Sequence, residues 1–226
     1  MSSPKNRANR ARAAAEHRTA ASAPPRRSLL PFAVVAVVAI IAIGVAVLLS
    51  SGDDGGSDGE ALATAGITVR GDPLPELPAS GDDPAVGMPA PTLEGVSPDG
   101  TPIDVDFEGD EPTLLAFLAH WCPHCQAELP NLVTMAEQGQ LDDVRPIIVL
   151  TGTDENQPNY PPAPWIEREG WTGPTILDDE RYQAGGAYGL SGYPYLVLVD
   201  AEGDVLARSS GELGLEGLVA FVERAG

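Results

Sequence analysis

Hydrophobic positions along the 226-residue chain fall into one long block followed by a series of short ones. Residues 29–49 (LLPFAVVAVVAIIAIGVAVLL) form an uninterrupted stretch without a charge. At about 1.5 Å per helical residue this stretch spans roughly 30 Å, the thickness of a bilayer's hydrocarbon core, and it predicts a transmembrane helix. A cleavable signal peptide would carry a shorter apolar region followed by a small-residue cleavage site, so an uncleaved anchor is preferred. Beyond it, Thr113–Leu118 (TLLAFL) and Val144–Leu150 (VRPIIVL) have the length and continuity of strands buried on both faces. Between them, Pro123 to Gln138 reads as a helix with proline in its first turn, and Pro130 predicts a kink. Strand, helix and strand in that order predict a parallel βαβ unit. After an irregular stretch from Thr151 to Pro164 come a short helix (Ile166–Glu169), a short strand (Thr175–Leu177) and a helix (Asp179–Tyr188). Tyr195–Asp200 and Asp204–Ser209, joined at Glu202-Gly203, read as a hairpin. An amphipathic helix over Leu213–Arg224 closes the chain. The predicted class is α/β: a central mixed β-sheet flanked by helices, behind an N-terminal membrane helix.

Composition divides the remainder. Residues 50–86 are rich in Gly, Ser, Pro and Asp, and such a segment buries too little apolar surface to offset its ordering entropy. It is expected to be a flexible acidic tether, with Ile67-Thr68-Val69 as an alternative edge strand, and residues 87–226 are expected to form one domain. The formal charge of −20 is unevenly spread. Residues 1–28 hold seven cations and one acid, whereas Ser50 onward holds six cations and thirty-two acids. The basic flank places residues 1–28 in the cytoplasm and the domain outside the cell membrane. An acidic exported portion argues against nucleic-acid partners, because affinity for phosphate backbones rests on clustered cations. A single lysine among twelve arginines suits a GC-rich bacterial source.

Two cysteines are too few for a disulfide-dense scaffold, an iron–sulfur cluster or a four-cysteine zinc site. Both lie in Trp121-Cys122-Pro123-His124-Cys125, at the junction of a buried strand and a helix. A cysteine just ahead of a helix has its sulfur near unpaired N–H groups and the positive end of the dipole, which favours thiolate over thiol. Cys125, three residues on, lies about one turn away on the same face, so the pair can cycle between dithiol and disulfide. His124 offers a second cation beside Cys122, and a dithiol stabilised in its reduced form is a strong oxidant of other dithiols. A structural disulfide closing so small a loop would remove little chain entropy. His120, Cys122, His124 and Cys125 also form a candidate copper site, although structural metal sites usually draw on two separated pairs of ligands. No cofactor beyond the cysteine pair is expected.

The stretch from residue 87 to 226 resembles the thioredoxin superfamily, and within it the membrane-anchored TlpA/ResA-type thiol–disulfide oxidoreductases. The resemblance is carried by Gly87-Met88-Pro89-Ala90-Pro91, by the W-C-x-x-C-x-x-E-x-P run through Glu128 and Pro130, and by Tyr193-Pro194 ahead of YLVLVD. It implies Cys122 as exposed nucleophile and Cys125 as buried resolving thiol. Pro194 would be a cis-proline against the disulfide, with Tyr193 offering backbone groups to a substrate chain. It implies further that Trp121 covers the site's rim, that Glu128 lies near the cysteines, and that His120 lines the pocket. Thioredoxins proper carry a buried acid six positions before the first cysteine, where this chain has Ala116. Proton transfer for Cys125 is then left to Glu128, His120 or water. The Pro123-His124 dipeptide matches DsbA-type oxidases, whereas the scaffold matches reductases of cytochrome maturation. A peroxiredoxin is excluded because no P-x-x-x-[ST]-x-x-C leads into Cys122. The expected partners are thiols or disulfides of exported proteins and a membrane partner that resets the dithiol, with oxidation the preferred direction. A copper metallochaperone and a non-catalytic binding module are the alternatives. The loop from Thr151 to Trp165 is expected either to line a substrate groove or to pack the domain edge.

Overall fold

The computed structural model describes residues 61–107, 109 and 111–226. The basic tail, the apolar stretch 29–49 and residues 50–60 lie outside the described residues. Among the described residues no helix is long and apolar enough to cross a membrane.

The core is a five-stranded sheet ordered β6-β5-β4-β7-β8. At its centre β4 (Thr113–Leu118) is buried at all six positions. It runs parallel to β5 (Arg145–Leu150) and antiparallel to β7 (Tyr195–Val199), with Ala116 opposite both Ile148 and Leu196. β6 (Thr175–Leu177) extends the parallel side, and β8 (Val205–Ser210) pairs antiparallel with β7. The unbroken apolar run Leu114–Leu118 in β4 follows from alternation, because successive side chains point to opposite faces and both faces are covered. Leu114, Ala116 and Leu118 join one cluster with Leu129, Leu132 and Met135 of α1 (Pro123–Glu137). Leu218 and Phe221 of α4 (Gly214–Val222) belong to the same cluster. Leu115 and Phe117 face the other cluster, with Leu93, Val105, Tyr188 and Tyr195.

Two further short helices follow in the connections, one between the parallel strands β5 and β6 and one between β6 and the antiparallel β7. α2 (Pro162–Arg168) starts four residues earlier than the sequence predicts, since Pro162 and Pro164 sit in a first turn whose N–H groups have no helical partners. α3 (Gln183–Ala187) is shorter than predicted. Tyr182 stands at its head with φ of 58°, and Asp178 takes the Ala184 and Gly185 N–H groups at 2.9 and 3.1 Å. α1 continues through Pro130.

The expected boundary at residue 87 and the free tether up to it require correction. Residues 61–86 pack onto the domain. β1 (Thr68–Arg70) pairs antiparallel with β2 (Thr92–Val96), which pairs with β3 (Pro102–Val105), forming a separate three-stranded sheet. β2 approaches β6 closely at Gly95, where an added Cβ would stand 3.1 Å from the Ile176 side chain. Ile67, Leu74 and Ala85 are buried, and the Leu74 N–H donates to the Ala187 carbonyl at 2.8 Å. Mean composition conceals this because a few apolar side chains at the right intervals suffice, and the Gly, Pro and Asp residues between them shape the turns.

The strap is fastened by Arg208 of β8, whose side chain is fully buried. Its Nε donates to Asp83 Oδ2 at 2.9 Å and its Nη2 to Asp83 Oδ1. Its Nη1 donates to the carbonyls of Pro75 and Tyr188 at 2.8 and 3.0 Å. The guanidinium hydrogen bonds hold the Asp83 carboxyl below the usual carboxylate range. Arg208→Met leaves the Pro75 carbonyl without its donor, the partly buried Asp83 carboxylate with only the Ala85 N–H and the Tyr188 carbonyl with only the Tyr195 hydroxyl, and is expected to cost about 3 kcal/mol in urea unfolding at pH 7. Because the folded value of Asp83 lies below the unfolded value of about 3.9, this stabilisation is present above about pH 4. It is lost as the pH falls through the depressed value, so the gap between wild type and Arg208→Met narrows in acid, down to the part that the two carbonyl bonds supply.

Candidate active site

β4 ends where the chemistry begins. Its continuation, Ala119-His120-Trp121, carries the backbone out of the sheet, and Cys122 caps α1 with extended angles (φ −74°, ψ 121°) and Pro123 in the first turn. The two thiols are free and differ in setting. Cys122 is 6% exposed and its Sγ lies 3.9 Å from the Tyr193 carbonyl, to which it can donate. Cys125 is fully buried, and its Sγ accepts the Ala119 N–H at 3.4 Å. Burial pushes the Cys125 thiol far above the ordinary thiol range, only partly offset by that N–H bond. At neutral pH Cys125 is therefore a thiol.

The second wall is the segment before β7. The Tyr193–Pro194 peptide is cis, and the Tyr193 ring stands edge-on to Trp121 at a centroid distance of 5.9 Å. Burial raises the Tyr193 hydroxyl to about 12, so it stays protonated. Trp121 Nε1 donates to the Gly152 carbonyl at 2.6 Å, tying the rim to the loop after β5. Gly152 has φ of 63°, and any Cβ there would meet the Tyr193 hydroxyl at 2.6 Å, so this contact requires glycine. Trp121, Gly152, Asp154, Gln157, Tyr182 and Tyr193 line a cleft of about 390 Å³. The loop from Thr151 thus reaches the site through Gly152, Asp154 and Gln157, while Trp165 at its end packs into the core.

His120 organises that loop. It is almost fully buried, its Nδ1 donates to the Pro158 carbonyl at 2.7 Å and its Nε2 accepts the Asp154 N–H at 3.1 Å. The backbone carbonyl of His120 accepts from Gln126 Nε2 and Asn159 Nδ2 at 3.0 and 3.1 Å. The neutral tautomer is specified by its partners, since one ring nitrogen must donate and the other accept. Glu128, read from sequence as near the cysteines, is fully buried and caps the start of α4. Its two oxygens accept the Leu213 and Gly214 N–H groups at 2.8 and 2.9 Å. Both candidate proton carriers for Cys125 are therefore engaged by backbone groups. His124 turns outward, with Nδ1 2.9 Å from the Glu212 carboxylate. Glu212 is absent from the sequence-derived set, because 88 residues separate it from His124 and no local motif marks it. Among the described residues no three His, Cys, Asp or Glu side chains converge as metal ligands, so the candidate copper set is not assembled.

A buried strand delivering a C-x-x-C pair to a helix start, opposite a cis-proline, defines a thioredoxin-fold thiol–disulfide oxidoreductase. The chain belongs to the AhpC/TSA family, whose sequence profile matches residues 86–208, more than half its length. Among curated proteins it is 29% identical over 143 residues to the thiol:disulfide interchange protein DsbE of Pasteurella multocida, covering 60% of this chain and 75% of that one. It is 26% identical over 125 residues to HelX of Rhodobacter capsulatus, covering 55% and 66%. Two solved structures share the fold. One is the thioredoxin domain of a thiol–disulfide oxidoreductase from Bacteroides vulgatus (TM-score 0.51, 24% identity, 62% of this chain and 96% of that one). The other is a DsbE-type protein from Chlorobium tepidum (TM-score 0.53, 18% identity, 62% and 98%).

Burial lowers the pKa of His120, so its neutral, folded form must take up a proton on opening at mildly acid pH. A protonated Nε2 would face the Asp154 N–H donor to donor. The stability His120 gives the loop is thus present above about pH 6.5 and lost as the pH falls below it. Hydrogen exchange at the Asp154 amide, corrected for its intrinsic rate, is expected to accelerate severalfold from pH 7.5 to 5.5 in wild type. His120→Gln, which keeps a donor and an acceptor without titrating, should flatten this dependence.

Proposed function

We propose that the chain is a membrane-anchored oxidoreductase that exchanges disulfides with exported polypeptides through Cys122 and Cys125, outside the cytoplasmic membrane. The observation that carries this reading is the asymmetry of the pair. Cys122, expected from the sequence to be exposed, is itself largely buried at 6% exposure, yet it is the more accessible thiol, beside the Tyr193 carbonyl, while Cys125 is fully buried. Residues 29–49 supply the anchor, and the basic flank at 1–28 supports a cytoplasmic N-terminus.

In the oxidising direction a substrate thiolate attacks Cys122 of the Cys122–Cys125 disulfide. A mixed disulfide forms, and Cys125 is released and takes a proton. A second substrate thiolate then attacks the substrate sulfur of that mixed disulfide and expels Cys122 as thiolate. Two electrons pass from substrate to protein, and a membrane partner removes them to restore the disulfide. Tyr193 offers its backbone to the substrate chain, Pro194 sets the shape of that surface, and Trp121 closes the rim against Gly152. Pro123 holds the first turn of α1 with Cys122 at its head. His120 and Glu128 act as positioning residues, through the loop and through α4. The Pro123-His124 dipeptide supports oxidation as the working direction. The reverse reaction, reduction of disulfides in exported proteins for cytochrome maturation, is the second reading; it suits the TlpA/ResA-type scaffold, and the thiol:disulfide interchange for which the DsbE and HelX relatives are named fits either direction.

The purified full chain, oxidised, is expected to introduce disulfides into a reduced unfolded protein. Cys122→Ala should lower the rate by at least 10³-fold, whereas Cys125→Ala should accumulate mixed disulfides visible on non-reducing gels. The reduction potential of the pair should lie nearer about −120 mV than about −270 mV. A biological function left intact in Cys122→Ala, with exchange abolished, would leave only a binding module, and a potential at or below the lower value would reverse the direction.

A further inference from the structure

His124 and Glu212 form a hydrogen-bonded pair beside the site. Glu212 lies in the turn between β8 and α4, and the backbone around it is fastened on both sides. The Gly211 N–H donates to the Pro194 carbonyl at 2.8 Å, joining the turn to the segment beside Cys122. The Leu213 and Gly214 N–H groups donate to the buried Glu128 carboxylate of α1. Gly211 and Gly214 adopt φ of 95° and 68°, so the chain turns sharply on either side of Glu212. The carboxylate is thus presented by an anchored backbone, and it meets His124 Nδ1 at 2.9 Å across a cleft of about 370 Å³. The Cys122 sulfur has the Tyr193 carbonyl as its hydrogen-bond partner, while the His124 ring nitrogen is directed to Glu212.

We propose that Glu212 is a positioning residue that sets the reduction potential of the Cys122–Cys125 pair, by directing His124 away from the Cys122 sulfur and offsetting its charge. The inference rests on the exchange reaction proposed above. An imidazolium alone beside Cys122 stabilises the thiolate and with it the reduced form, making the disulfide the stronger oxidant. An imidazolium matched to a fixed carboxylate presents little net charge, and that stabilisation shrinks. Glu212 therefore tempers the oxidising tendency that Pro123-His124 would confer unaided. The side chains are 66% and 37% exposed, so solvent screening limits the effect to a few-fold change in equilibrium.

The test measures the equilibrium between oxidised protein plus two reduced glutathione molecules and the protein dithiol plus glutathione disulfide. Purified full chain is compared as wild type, Glu212→Gln, His124→Leu and the double variant. Glu212→Gln should move the equilibrium roughly two- to fivefold toward the dithiol, about 10–20 mV more oxidising at roughly 30 mV per tenfold. In the His124→Leu background the same substitution should change it by less than about 1.5-fold. No shift, a shift of opposite sign, or an equal shift without His124 would overturn the proposal, since Glu212 would then not act through that ring. Failure of the wild type to exchange at all would remove the exchange reading itself, and the wild-type measurement alone reveals it.

Discussion

Everything at the site depends on the burial of β4. A strand covered on both faces cannot slip in register, because a one-residue shift would exchange the side chains of its two hydrophobic clusters. Leu114, Ala116 and Leu118 serve the layer under α1 and α4, while Leu115 and Phe117 serve the layer under the three-stranded sheet. With the strand so fixed, the point at which it leaves the sheet is fixed too. His120, Trp121 and Cys122 therefore emerge in constant relation to the Tyr193-Pro194 segment, which enters the neighbouring strand β7. The two cysteines need no support of their own beyond this frame and the first turn of α1.

Three polar side chains extend that order outward to elements the sheet does not hold directly. His120 ties the loop after β5 through both ring nitrogens, Glu128 holds the start of α4, and Asp178 holds the start of α3. Each is buried and each is satisfied by backbone groups. A buried polar side chain left unpaired is costly, so each serves as a specific fastener where an apolar residue would allow sliding. His120 and Glu128 flank the C-x-x-C motif in sequence, and both reach to chain segments distant from it.

Legibility in the sequence followed the same division. Strands buried on both faces leave continuous apolar runs, so β4, β5, β7 and the helix after the cysteines could be read within a residue or two. Of the strands β1 to β3, only β1 left a trace, in the alternative edge strand Ile67-Thr68-Val69; all three are three to five residues long and largely half-exposed or exposed, and β2 and β3 carry Gly95 and Pro102. Their pairing joins Arg70 to Thr92 and Leu93 to Val105, and no short window contains both partners. At the site, Cys122, Cys125, Trp121 and Pro194 announce themselves through local motifs. The partners of His120, Glu128 and His124 do not, because backbone groups of Asp154, Pro158 and Leu213 carry no side-chain signature. Glu212 is an ordinary surface acid until the fold brings it to His124.

The docked strap also alters a length. Chain arithmetic with a tether from residue 50 to 86 would let the domain roam about 130 Å from the end of an anchor at residue 49, at roughly 3.5 Å per residue. Contacts with the domain begin by Leu62, whose N–H donates to the Pro98 carbonyl at 2.7 Å, and the strap is locked further on by Arg208. Eleven residues, 50–60, then separate the proposed anchor from that point, a contour of at most about 40 Å. If residues 29–49 anchor the chain as proposed, the domain would be kept by so short a span within a shallow zone over the membrane. It would meet polypeptides as they emerge and encounter a membrane-embedded redox partner at high local concentration.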